Sequence, residues 1–139
     1  MRTLLLFIIL FIPILSYSQE VDDKKSRFPL FELSKGDDDT KNVNWGNFHF
    51  NNESFRKAAD RYEKVSTPSV EVQRNLGKSY VELDSVEKAR VIFETIINAG
   101  DDVETEDYLI LSQLQDQLGM YNEGNKNRKK YARQKAREV

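Results

Sequence analysis

The chain has no cysteine and only one histidine, His49. Without cysteine it has no disulfides, no thiolate nucleophile and no thiolate ligands for zinc. A single imidazole does not make up the nitrogen ligand set of a transition-metal site, so the sequence predicts neither a metal nor a cofactor. The folded state must therefore be held together by packing of the chain itself.

Glycine and proline are also scarce, with six and three residues among 139. The glycines are dispersed singly, which excludes a glycine-rich loop that would cradle phosphate groups. No sustained alternation of apolar and polar residues is present, so the sequence predicts an all-α protein. Any Ser–His hydrolase would depend on His49, which stands where a packing aromatic is expected. We therefore predict that the protein is not an enzyme, and a His49-dependent hydrolase is the alternative.

Long hydrophobic runs are absent except at the N-terminus, where residues 4–15 are apolar. Arg2 precedes this run and the small residues Ser16 and Ser18 follow it, which is typical of a signal peptide cleaved after Ser18. The run is too short to cross a bilayer comfortably, for which about 20 residues are needed, so an uncleaved anchor is the less favoured alternative. We expect residues 1–18 to be removed and the protein to be exported, to the periplasm or the outer membrane rather than the medium.

The next segment, residues 19–41, is predicted to be an acidic flexible linker. It holds seven acidic and five basic side chains. One apolar island, Phe28-Pro29-Leu30-Phe31, interrupts it. Docking of this island on the first helix pair is the preferred interpretation, since apolar clusters near the end of a helical array usually cover an exposed face. A ligand motif for another protein is the alternative.

Small and aromatic residues recur further along the chain with nearly constant spacing. A small residue, a second small residue and an aromatic repeat after 31 residues, and the two small positions repeat again after 35. Small residues at such spacing indicate helices that cross closely, with an aromatic filling the space beside them. The three sets are Gly46, Ala58 and Tyr62; Gly77, Ala89 and Phe93; and Ser112, Gly124 and Arg128.

The middle set, Leu76-Gly77-x-x-Tyr80 followed by Ala89-x-x-x-Phe93, resembles the tetratricopeptide repeat, a helix–turn–helix unit of ~34 residues. The resemblance implies a helical domain over residues 42–139, with about three units stacked as a short right-handed solenoid. An ordinary helical hairpin bundle is the alternative architecture.

Caps and breakers predict where five of the helices begin and end. They indicate a helix from Asn52 or Ser54 to Thr67, one from Ser69 to Leu83, one from Asp84 or Ser85 to Ala99, one from about Asp102 to Gly119 with Leu118 inside, and a last one from about Asn122 to the end.

In the family that the chain resembles, the first helix of each unit lines a groove that binds a partner. Carried over to this sequence, the predicted groove residues are Asn47, Phe50, Arg74, Asn75, Lys78, Val81 and Gln113. Some members clamp a terminal carboxylate through bases and asparagines, but Val43, Glu106 and Ile110 stand here where bases are expected. The resemblance thus implies a mixed polar and apolar groove.

The last predicted helix is strongly basic. From Tyr121 to Val139 it has seven basic and two acidic side chains. The predicted basic patch consists of Lys126, Arg128, Lys129, Lys130 and Arg133. A solvated helix end is one interpretation, and a patch for an acidic protein or anionic envelope polymer is the other. Nucleic acid is disfavoured as a partner because the protein is expected to be exported.

The signal ending at Ser18-Gln19, the degenerate repeats and the stretch Tyr108-Leu109-x-Leu111-Ser112-Gln113 resemble the N-terminal repeat region of OmpA-family, peptidoglycan-associated envelope proteins. That resemblance implies a non-catalytic scaffold of the bacterial cell envelope that binds another envelope protein, in an outer-membrane or secretion-linked assembly. A structural adaptor that docks through the basic last helix is the alternative.

Overall fold

The computed structural model describes Leu33 and residues 35–138, and all the regular structure in that part is helical. The prediction of an all-α protein is confirmed. The predicted signal peptide 1–18, and the apolar island within the predicted linker, lie outside the described residues. The helices are α1 (Asp38–Asn51), α2 (Phe55–Tyr62), α3 (Val70–Glu82), α4 (Val86–Ala99), α5 (Thr105–Gln117) and α6 (Tyr121–Lys135).

The first helix begins earlier than predicted, at Asp38 inside the segment assigned to the linker. Asp37 is its N-cap and accepts a hydrogen bond from the Thr40 amide at 2.8 Å. Asp39 reaches the loop after α2 and accepts from the Ser66 amide at 3.0 Å. The acidic residues that suggested a linker therefore start a helix and hold it against its neighbour.

Most other boundaries lie close to the predicted ones, but α2 ends at Tyr62 and not at the predicted Thr67. Ser69 caps α3 by accepting from the Val72 amide at 3.3 Å. Gly100 ends α4 in a left-handed conformation with φ of 79°. Another prediction is wrong: Leu118, expected inside, is 41% exposed because α5 ends before it, at Gln117. The last helix ends at Lys135, before the end of the chain.

Each helix packs against the one that follows it, and α1 also contacts α3. The predicted small residues lie where paired helices cross. A Cβ atom on Gly46 would collide with the ring of Tyr62, and one on Gly77 would lie 2.9 Å from Phe93 Cε2. At the third crossing a Cβ atom on Gly124 would lie 3.1 Å from the carbonyl oxygen of Ser112.

The turns inside the three helix pairs have the same geometry. Glu53, Asp84 and Gly119 all have positive φ, at 55°, 53° and 75°. In each case the next amide, of Ser54, Ser85 or Met120, donates to a carbonyl five residues earlier, at 2.8 to 2.9 Å. These positions keep the spacings of 31 and 35 residues found in the sequence.

Two apolar clusters form the core. One is built on Tyr62, Val65 and Val72. The other contains Tyr80, Phe93, Ile96, Leu111 and Leu114. Within residues 35–138 neither cluster includes a side chain from α6, so the last helix is held by other contacts.

Candidate functional site

An apolar cleft of about 500 Å³ opens on the face formed by α1, α3 and α5. The apolar side chains of residues 35–138 that line it are Phe50, Phe55, Val81 and Ile110. Its remaining lining is polar and consists of Asn51, Glu53, Lys78 and Glu82. A concave apolar surface with a few polar groups is typical of a ligand-binding site.

The helix ends bring these apolar residues together. Phe50 lies in the last turn of α1, and its ring contacts Phe55 at the start of α2 edge-to-face, with 5.7 Å between centroids. Val81 lies near the end of α3 and is 39% exposed. Ile110 comes from α5 and packs partly against the core. The cleft therefore combines residues from four helices, α1, α2, α3 and α5.

Among the described residues that line this cleft, Lys78 is the only one with a positive charge. It is half-buried, and no ion pair or hydrogen bond joins it to another side chain in the described part of the chain. Glu82 lies one turn further along α3, and Glu53 lies in the turn after α1, so both carboxylates border the same opening. The cleft thus has an apolar lining with both signs of charge around it.

The structure brings three of the predicted groove residues, Phe50, Lys78 and Val81, into this cleft. Asn47 lies deeper on α1, where its Oδ1 accepts a hydrogen bond from the Tyr62 hydroxyl at 2.7 Å. Burial raises the pKa of Tyr62 to about 12, so the hydroxyl remains a donor at neutral pH. Asn47 therefore contributes to the fold of the first helix pair.

The other two predicted amides do not line the cleft. Asn75 is half-buried on α3, and Gln113 is exposed on α5.

Arg74, predicted to line the groove, does not line this cleft, and its side chain is only 8% exposed. It donates through Nε and Nη2 to both carboxylate oxygens of Asp107, at 2.9 and 3.0 Å, and through Nη2 to the Asp102 carbonyl at 2.6 Å. Its Nη1 pairs with Glu104 at 3.1 Å. These bonds raise the pKa of the guanidinium, first through Asp107.

This arginine thus joins α3 to the first turn of α5. Asp107 also accepts from the Glu104 amide at 2.9 Å, completing a capping box at the start of α5. The pairing with Asp107 is bidentate and desolvated, so its loss would leave a buried charge. The only signal for this role in the sequence is the acidic run 101–107.

Sequence reasoning missed Phe55, Ile110 and the two carboxylates of the cleft, Glu53 and Glu82. Phe55 belongs to a second helix, which the predicted groove left out. For Ile110 the sequence showed only that an apolar residue stands where the carboxylate clamp of the family has a base. An apolar residue in a clamp position was the available signal for the apolar lining of the cleft.

The predicted basic patch divides into two groups. Lys126, Lys129 and Arg133 are exposed, with no bonded partner among residues 35–138. Arg128 instead forms an ion pair with Asp116, and Lys130 lies over the Tyr108 ring at 5.3 Å from its centroid. Two of the five predicted residues therefore help to hold α6 on α5.

No helix in residues 35–138 has both the length and the apolar character required to cross a bilayer. In the same residues, no three His, Asp or Glu side chains come close enough to hold a metal ion.

Comparison of the chain with protein-family models, with curated proteins and with solved structures finds no match.

Proposed function

We propose that the protein is a non-catalytic interaction scaffold of the bacterial cell envelope that binds a protein partner in the cleft between α1, α3 and α5. The cleft carries this proposal, because it exposes apolar side chains, two of which, Phe55 and Val81, belong to neither core cluster. The partner is another envelope protein, in an outer-membrane or secretion-linked assembly. The predicted export signal supports that location.

The proposed architecture is a short right-handed solenoid of about three tetratricopeptide-like units. Two observations support it. The close crossings recur at positions of the sequence motif, at Gly46 and Gly77 in the first helix of their pairs and at Gly124, opposite Ser112, in the second helix of the last pair. The turns at Glu53, Asp84 and Gly119 recur with that spacing as well.

Two exposed valines offer a matched test of the cleft. Val81 lines the cleft, and Val91 lies on α4 at 48% exposure and does not. Affinity capture from an envelope extract should lose its specific partner with Val81→Arg and keep it with Val91→Arg. If Val81→Arg, folded by circular dichroism, retains every partner that the unchanged protein binds, the cleft is not the binding site.

A second candidate function is an adaptor that docks on an anionic envelope surface through α6. The exposure of Lys126, Lys129 and Arg133 favours it, since side chains held by no internal contact are available to an external anion. Binding to vesicles with anionic lipid should be lost when all three are changed to Glu. The matched control changes three exposed bases of α2 and its C-terminal turn, Arg56, Lys57 and Lys64, to Glu. Equal loss of vesicle binding with both sets of substitutions would show that binding depends on net charge alone and not on α6.

A further inference from the structure

Two bases lie on one face of α3, and only one of them has an acidic partner. Arg74 and Lys78 are four residues apart, so their side chains lie on the same side of the helix. Arg74 is buried against Asp107. Lys78 is half-buried, and no carboxylate of residues 35–138 lies within ion-pair distance of it. The fold therefore neutralises one charge of this face and leaves the other without an internal partner.

The helix α5 places an apolar residue where an acidic partner of Lys78 would lie. The helices α3 and α5 run in the same direction, since Arg74 meets Asp107 in the first half of both helices and Val81 shares the cleft with Ile110 further along. Ile110 is the α5 residue about one turn after Asp107, and it lines the same cleft as Lys78. An apolar side chain cannot neutralise an ammonium group, so the negative charge that complements Lys78 comes from solvent or from a ligand.

The carboxylates of the cleft do not fill this role. Glu82 lies four residues after Lys78 on α3, a spacing at which ion pairs form, but no ion pair joins the two within the described residues. Glu53 lies in the turn after α1 and, like Glu82, is exposed. The cleft therefore offers a ligand one positive group and two negative groups around its apolar side chains.

We infer that the partner enters this cleft with a bulky apolar side chain next to an acidic one, and that the acidic side chain pairs with Lys78. The inference rests on the proposed function and adds the chemistry of the bound segment. The apolar side chain contacts Phe50, Val81 and Ile110, and its burial stabilises the complex. The carboxylate supplies the negative charge that no described residue provides for Lys78. A run of several acids is disfavoured, because the two glutamates border the same opening.

A library of random heptapeptides displayed on phage tests this chemistry with a defined probe. Peptides that bind the unchanged full chain and are lost with Val81→Arg should have an Asp or Glu next to a Phe, Leu, Ile or Trp. Selection on Lys78→Glu should enrich Lys or Arg at that position instead. Lys64→Glu, the same charge change at an exposed residue outside the cleft, should leave the selected pattern unchanged.

The outcomes of this selection separate the inference from the proposed function. Peptides that depend on Val81 but show no enrichment of acids would overturn the inference and leave the cleft as the binding site. If no selected peptide depends on Val81, the proposed function fails and the inference fails with it.

A selected peptide, synthesised with its acid and with the corresponding amide, gives the quantitative test. The amide should weaken binding to the unchanged protein by roughly 3- to 10-fold, the range expected for one partly exposed ion pair. Lys78→Met keeps an unbranched apolar side chain and removes the charge, so this variant should bind both peptides equally. Isothermal titration calorimetry measures the four Kd values. The same loss of affinity for the amide with the unchanged protein and with Lys78→Met would overturn the inference, because the acid would then bind elsewhere.

Discussion

The middle and last helix pairs cross with the same geometry but are held together by different interactions. Where α3 crosses α4, Gly77 lies against the rings and methyl groups of Phe93 and Ile92. Where α5 crosses α6, Gly124 lies against the Ser112 carbonyl and the Asp116 carboxylate, and Arg128 replaces the aromatic and pairs with Asp116. A close crossing requires a small residue, whereas the space beside that residue can be filled either by an apolar ring or by an ion pair.

The difference extends over the whole of the last interface. Asn127 of α6 is 8% exposed and donates to Gln115 Oε1 at 2.9 Å, and Lys135 pairs with Glu106 at 3.4 Å. The middle pair is stabilised by burial of apolar surface, and salt screening has little effect on this contribution. Exposed ion pairs such as those of the last pair contribute little, and salt screens them. We therefore expect α6 to open before the rest of the domain.

Removal of the aromatic at the middle crossing should have the largest effect. Phe93→Ala is expected to lower the free energy of unfolding by about 3–5 kcal/mol, because it empties a fully buried site. Urea denaturation followed by circular dichroism measures this loss. Val91→Ala, two residues away and 48% exposed, should change stability by less than about 0.5 kcal/mol. Similar losses in the two variants would contradict the assignment of Phe93 to the core.

Breaking the buried link between the middle and last pairs should cost nearly as much. Arg74→Met leaves the Asp107 carboxylate, 1% exposed, without its partner, and the expected loss is about 3–4 kcal/mol in the same denaturation experiment. The double variant Arg74→Met with Asp107→Leu should recover most of this loss, because no unpaired charge remains. A double variant no more stable than Arg74→Met would show that the two groups act independently.

The ion pair at the last crossing should matter much less. Arg128 and Asp116 are 42% and 30% exposed, so Arg128→Ala is expected to cost at most about 1 kcal/mol. Amide hydrogen exchange should show the loss in α6 only, and about 1 M salt should largely remove the difference because it screens the pair. An equal increase of exchange in α4 would mean that the two crossings unfold together.

Substitutions in the turns are expected to change the stability of the domain least. The change should have opposite signs in the first and last helix pairs. Glu53→Gly is expected to stabilise the domain by roughly 0.5–1 kcal/mol, since glycine adopts positive φ without the steric cost paid by other residues. Gly119→Ala at the equivalent turn should destabilise it by about 1 kcal/mol for the same reason. Thermal unfolding of both variants checks the signs, and a destabilised Glu53→Gly would indicate that the Glu53 side chain makes a stabilising contact.

Much of the fold was predictable because it depends on short-range patterns. The spacing of Gly77, Ala89 and Phe93 predicted the middle crossing, and Ser69 and Gly100 predicted helix boundaries, since capping and close packing act within a few turns. The start of α1 was misplaced because Asp37 to Asp39 suit an N-terminal turn as well as a solvated linker.

The candidate site was predictable only in part. Phe50, Lys78 and Val81, which the repeat frame of the resemblance assigned to the groove, line one cleft. The burial of Arg74 could not be predicted, because its partner Asp107 lies 33 residues away in the sequence and no short-range pattern relates the two residues. Phe55 and Ile110 also come from different helices, and their meeting depends on how α1, α2, α3 and α5 pack.

The sequence by itself determined the helical class, the places where helices cross and the residues that turn the chain between them, because backbone geometry and small-residue contacts follow from local spacing. Only the tertiary structure decided which charges are buried and which are available. Arg74 is used to join α3 to α5, Lys78 faces an open cleft, and Arg128 takes the place of a ring. The free energy of a charge depends on its partners and its access to water, and both are set by residues far away in the sequence.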